Sequence, residues 1–139
     1  RSSVQFRPLA PYLTYIFLLK TPSMPVTIFH NPRCSKSRQT LALLEEQGIK
    51  PAIIEYLKTP IAKDKLIAIL SFLGMAPRDL MRKKEEVYTE KGLDNPSLSD
   101  AELIDIMVKN PILIERPIVL ANGKAALGRP PEQVLNILE

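Results

Sequence analysis

The chain has a single cysteine, Cys34, and a single histidine, His30, in 139 residues. One cysteine excludes an intramolecular disulfide, and one histidine beside it excludes a zinc site built from several Cys or His ligands. A thiol left unpaired in this way points to a reducing compartment, most simply the cytoplasm. A membrane-length apolar run is also missing at the start of the chain, since the stretch from Tyr12 to Leu19 is too short to span a bilayer. Strong charge of one sign is missing too. The net charge is +4, but residues 1–23 hold Arg1, Arg7 and Lys20 and no acid, which leaves 16 basic against 15 acidic side chains elsewhere. That balance gives no general pull toward nucleic acid or an anionic membrane.

What is present suits one soluble domain. The chain is 45% hydrophobic and 24% charged, which excludes a disordered tail or a fibrous repeat. Its length fits one core and is too short for two. Residues 1–23 stand apart, with Phe6, Tyr12, Tyr15 and Phe17 among them. They resemble the middle of a signal peptide, yet no small-x-small cleavage site follows. We expect residues 1–23 to be an N-terminal extension outside the fold, and residues 24–139 to form the domain.

From Met24 the punctuation is regular. Val26 to His30 is a β-rich run ended by Asn31-Pro32. Leu41 and Leu44 then recur at helical spacing before Gly48, and Ile53 to Leu57 reads as a second strand. Two strands around a helix make a βαβ unit with a parallel pair. Thr59-Pro60 reads as a cap with proline at the first helical position, ahead of Leu66, Ile67, Leu70 and Leu73. Pro77 opens a short helix, and Ser99-x-x-Glu102 is a capping box ahead of Leu103, Ile106 and Met107. Ile118 to Ala121 and Lys124 to Leu127 flank Asn122-Gly123, a strong hairpin signal. Pro130 and Pro131 open a last helix. This order is an α/β, thioredoxin-like fold with a helical insert after the second strand and a C-terminal hairpin plus helix.

In that topology a reactive cysteine follows the first strand, and Cys34 occupies the place. The run HNPRCSKSR sets it in a strand-to-helix turn, where unpaired backbone N–H groups and the helix dipole favour an anion. Arg33, Lys36 and Arg38 add positive charge nearby. Each effect lowers a thiol pKa, and the thiolate is the reactive form. Arg38, one turn on, either faces the sulfur or sits exposed. His30 either supports the thiolate electrostatically or makes a strand-end hydrogen bond. Ser37 stands where a Cys-x-x-Cys motif would place its resolving thiol, so any resolving thiol comes from another molecule. Thr40 stands where a Cys-x5-Arg phosphatase loop needs arginine, which disfavours a cysteine phosphatase.

A two-residue turn at Asn122-Gly123 pairs 121 with 124 and, onward, 116 with 129. Arg116 and Arg129 then oppose each other at the open end, with side chains starting about 5 Å apart. Like charges so placed destabilise the pair unless an anion sits between them or both splay into solvent. Each precedes a proline, Pro117 or Pro130, which restricts the local backbone. Two guanidinium groups held there make a clamp for a tetrahedral oxyanion.

These residues carry a family resemblance. HNPRCSKSR around Cys34, LMRK with Arg82, PILIERPIV with Arg116 and GRPPEQVL with Arg129 are spread over nearly all of residues 24–139. The chain resembles the glutaredoxin-coupled arsenate reductases (the ArsC family), most closely their YfgD-like branch. The resemblance implies that Cys34 attacks arsenate to form a thiol–arsenate adduct. Glutathione then displaces arsenite, and glutaredoxin reduces the mixed disulfide. It implies that Arg82, Arg116 and Arg129 hold the oxyanion at successive stages, that Pro117 is cis, and that His30 matches a family histidine near the thiolate. Without it, Arg82 reads as part of a solvated basic run. It implies no bound cofactor or metal, with glutathione as an external thiol co-substrate. The turn reads Ser35-Lys36-Ser37 where the family usually has Gly-Thr-Ser, which bears on substrate preference or rate.

Two other functions fit parts of the pattern. A glutathione-dependent thiol transferase would need only Cys34 with Ser37. An Spx-like RNA-polymerase-binding regulator shares the fold, but its characteristic Cys-x-x-Cys switch is forbidden by Ser37.

Overall fold

The computed structural model describes residues 25–138. The expectation for residues 1–23 lies outside them. Strands β1 (Val26–Phe29), β2 (Ala52–Ile54), β3 (Ile118–Ala121) and β4 (Lys124–Leu127) form one sheet in the order β2-β1-β3-β4. Strand β1 runs parallel to β2 and antiparallel to β3, and β3 pairs antiparallel with β4. Helix α1 (Ser35–Glu46) makes the crossover between the parallel strands. Between β2 and β3 lie α2 (Lys63–Leu73), a 3-10 turn at Pro77–Leu80, α3 (Glu86–Glu90), α4 (Asp100–Lys109) and a second 3-10 turn at Pro111–Leu113. A third 3-10 run, Pro131–Ile137, follows the hairpin. This is the thioredoxin-like arrangement with its helical insert.

The period-2 alternation of the strands divides the core into two faces. Val26, Ile28, Val119 and Ala121 pack with Leu44 of α1 and with Val134 and Ile137. Phe29 and Ile118 pack on the other side with Leu66, Ile69, Leu103 and Met107 of the insert. Burying one such aliphatic side chain stabilises by about 1.5–3 kcal/mol, so the sheet is held from both faces. Helix α4 starts with the expected capping box: Ser99 Oγ accepts from the Glu102 N–H at 3.2 Å, and the Ser99 N–H donates to Glu102 Oε1 at 2.9 Å.

The largest differences from the sequence reading lie at the second strand and the helix after it, while β1 ends one residue early at Phe29 and the last helix is a 3-10 run. Strand β2 stops at Ile54, because the Lys58 and Thr59 N–H groups both turn back to the Glu55 carbonyl at 2.9 Å. That turn also moves the next helix. It begins at Lys63 with Ala62 as its N-cap, while Ile61 is drawn into the core, so Thr59-Pro60 caps nothing. Among the described residues, no helix is long and apolar enough to cross a membrane.

Candidate active site

The Asn31–Arg33 loop folds onto itself before α1 begins. The Arg33 N–H donates to Asn31 Oδ1 at 3.0 Å, and the Cys34 N–H donates to the Asn31 carbonyl at 3.0 Å. Cys34 is left as the N-cap residue in an extended conformation, buried, with no formal side-chain cap hydrogen bond in this geometry. Burial is the largest single influence on its thiol and works against ionisation. It is outweighed by the backbone N–H of Ser37, the charge and hydrogen bond of Arg116, and the backbone N–H of Lys36. The thiol therefore sits below its ordinary pKa, in the direction the sequence implied.

Arg116 is brought to that sulfur by the segment before β3. The Glu115 N–H donates to the Leu80 carbonyl at 2.8 Å and the Arg82 N–H to the Leu113 carbonyl at 2.7 Å, with Met81 and Ile114 bridged between them. The Arg116-Pro117 bond is cis, and so is Arg129-Pro130. Arg116 Nε and Nη1 are buried, and neither has a protein hydrogen-bond partner. A buried donor without an acceptor costs about 1–3 kcal/mol, and more when the group is charged. This guanidinium lies close enough to Cys34 for its charge to favour the thiolate, and two of its buried donors remain without a protein acceptor.

The hairpin has the expected register, with Ile118 opposite Leu127 and Ala121 opposite Lys124. The Gly128 N–H continues it to the Pro117 carbonyl at 2.9 Å. The two flanking arginines nevertheless do not form a symmetric clamp. Arg129 lies at the surface with its side chain 32% exposed, and its Nε donates to the Arg116 carbonyl at 3.1 Å. The like charges are parted by sending one guanidinium inward and keeping the other at the surface. A cavity of about 360 Å³ lies there, lined by Met81, Arg82, Lys83, Lys84, Glu115 and Arg129. Arg82 pairs with Glu85 at 2.5 Å and with Glu115 at 3.6 Å, so the basic run is not merely solvated. Gly128 lets these parts meet: a Cβ there would stand 2.5 Å from Thr40 Oγ1 of α1 and 2.7 Å from Pro117 Cγ.

His30 is buried, and its Nδ1 lies 2.7 Å from Ser37 Oγ, which also accepts the Asn31 N–H at 3.0 Å. Burial lowers its pKa; Glu55 opposes the shift and Arg38 adds to it. A neutral imidazole thus braces the loop through Ser37, which is the hydrogen-bonding alternative. Arg38 turns away to donate to the Pro32 carbonyl at 2.9 Å. Two residues escaped the sequence reading. Tyr56 is buried, and its phenol is pushed up to about 12, first by burial, against the nearby charges of Arg116 and Arg82. It lies in the site as a neutral hydroxyl, 3.4 Å from the Ile114 carbonyl. Glu115 stands next to Arg116 in PILIERPIV, a position that could have drawn attention; Tyr56 carried no such signal. Among the described residues, no group of three His, Cys, Asp or Glu side chains could hold a metal ion.

A thioredoxin-like fold with a low-pKa thiol at a helix start and a buried, half-satisfied arginine beside it defines a thiol protein shaped to meet an anion. The chain belongs to the ArsC family, whose sequence model matches residues 29–137. It is 57% identical over 114 residues to the uncharacterized protein YfgD of Escherichia coli (strain K12), covering 81% of this chain and 96% of that protein. It is 51% identical over 116 residues to an arsenate reductase of Haemophilus influenzae, covering 83% of this chain and all of that one. Among solved structures, an arsenate reductase from Vibrio cholerae matches with a TM-score of 0.81 and 54% identity, covering 84% of this chain and 99% of that one.

Proposed function

We propose that this protein is an oxidoreductase that reduces arsenate to arsenite through Cys34, drawing electrons from external thiols. The observation that carries this reading is the buried Arg116, whose Nε and Nη1 find no protein acceptor beside the lowered thiol of Cys34. A tetrahedral oxyanion would satisfy those donors. The relatives named as arsenate reductases support arsenate in that role.

The chemistry follows from having one sulfur. The Cys34 thiolate attacks arsenic; an S–As bond forms, an As–O bond breaks, and the oxygen leaves as water after protonation. Arg116 neutralises the charge beside the sulfur, while Arg82 and Arg129 hold the oxyanion from the cavity. The chain has no second cysteine, and the Ser37 hydroxyl is engaged with His30, so no internal thiol can complete the reduction. A glutathione thiol therefore attacks the Cys34 sulfur. The S–S bond forms, the S–As electron pair passes to arsenic, and arsenite leaves. A glutaredoxin thiol then attacks the glutathione sulfur of that mixed disulfide, releasing Cys34. No bound cofactor is required, and the cytoplasm supplies the reducing conditions.

The test is NADPH consumption with glutathione, glutathione reductase, glutaredoxin and arsenate, omitting each in turn and repeating with Cys34→Ser. Turnover should need every component and vanish in the folded variant. Arsenate-independent turnover with a glutathionylated peptide would instead make the protein a thiol transferase.

A further inference from the structure

We propose that Glu115 is a built-in counter-anion, a positioning residue that holds Arg82 and Arg129 together and yields them to an incoming oxyanion. This rests on the oxyanion reading of the site. One carboxylate faces both arginines: Oε1 lies 3.6 Å from Arg82 Nε, and Oε2 lies 3.9 Å from Arg129 Nε. These are charge-pair distances, longer than the 2.7–3.2 Å of a hydrogen bond, so Glu115 does not consume the N–H donors.

The Glu115 main chain is anchored, because its N–H is tied to the Leu80 carbonyl at 2.8 Å. Each arginine also keeps another contact when Glu115 is displaced. Arg82 retains Glu85 at 2.5 Å, and Arg129 retains the Arg116 carbonyl at 3.1 Å. Glu115 is the one acid among the six residues lining the cavity, against Arg82, Lys83, Lys84 and Arg129. Without it the two guanidinium groups repel across the opening. With it they stay converged, but any ligand must compete with a carboxylate. An oxyanion carrying two charges wins that competition more readily than one carrying a single charge. Glu115 therefore tunes oxyanion affinity and charge preference.

The experiment measures protection of Cys34 from iodoacetamide by inorganic arsenate, together with KM and kcat, in wild type, Glu115→Gln, Glu115→Ala and Glu115→Asp. In the two neutral variants the loss of the competing carboxylate should outweigh the added repulsion, because Arg82 keeps Glu85 and Arg129 keeps the Arg116 carbonyl, so arsenate binding should tighten about fivefold. KM should fall in parallel while kcat holds within about twofold, and Glu115→Asp, which keeps the charge, should stay near wild type. A merely structural residue would raise KM and lower kcat. Equal or weaker protection in both neutral variants, with wild type protected, overturns this role alone. An equal change in Glu115→Asp also overturns it, because shape rather than charge would then be at work. If arsenate protects none of the four proteins, the oxyanion reading falls with it.

Discussion

Replacing Arg116 with methionine should make the ligand-free protein more stable while removing its affinity for oxyanions. Arg116 Nε and Nη1 are shielded from solvent without a protein acceptor. Two unsatisfied donors on a charged group cost about 2–4 kcal/mol together. Methionine fills the path of the arginine stem with apolar atoms and abolishes that cost. Against this stand the lost contact to Cys34, which the thiol offsets by staying protonated, and the space left by the guanidinium head. The net gain should be about 1–2 kcal/mol, in line with apolar replacements of buried charged groups. For a domain of this size that is a rise in Tm of about 4–8 °C. Two further readouts should move with it. The midpoint of Cys34 alkylation against pH should rise, because Arg116 is among the groups holding the thiol down. Arsenate should raise the Tm of wild type, by binding only the folded state, and leave Arg116→Met unmoved. A fall in Tm of several degrees for ligand-free Arg116→Met would refute the reasoning, since it would mean that the guanidinium is already satisfied.

Gly128→Ala should destabilise by about 1–3 kcal/mol through overpacking, since its Cβ would meet Thr40 Oγ1 and Pro117 Cγ at 2.5 and 2.7 Å. Thermal melts should show a loss of several degrees, partly restored in the double variant with Thr40→Ala; a melt unchanged from wild type would disprove the close approach. His30 has a folded pKa below the 6.5 of a free histidine, chiefly through burial. As pH falls below 6.5 the unfolded chain takes up the proton first, so this contribution to stability is present above 6.5 and lost through the lowered folded value. Urea midpoints measured across that window should fall more steeply for wild type than for His30→Gln, and parallel curves would argue against a buried neutral imidazole.

Much of the fold was legible because it rests on local chemistry. Asn122-Gly123 takes positive φ at both positions, 56° and 69°, which these residues tolerate, so hairpin type and register follow from the dipeptide. Ser99 and Glu102 satisfy each other's backbone across three residues and mark the start of α4 without reference to anything distant. The placing of Cys34 at a helix start after the first strand was readable in the same way, from HNPRCSKSR and the strand and helix patterns on either side. The false cap at Thr59-Pro60 shows the limit. The local signal was sound, but burying Ile61 in the core outweighed it.

What the sequence alone could not decide was where long side chains go once the backbone is fixed. Register put Arg116 and Arg129 opposite each other, yet only packing determined that one guanidinium turns inward to Cys34 while the other docks on the Arg116 carbonyl. A charged side chain of that length reaches in several directions from one Cα, and the direction is chosen by partners distant in the chain. Arg82, Glu85 and Glu115 meet because residues 80–82 and 113–115 pair across the insert, a contact that no local pattern encodes. Tyr56 enters the site for the same reason. Local periodicity and turn chemistry determined the scaffold and the place of Cys34 in it; tertiary packing determined the charges that surround that thiol, because electrostatic partnership depends on distance in space rather than along the chain.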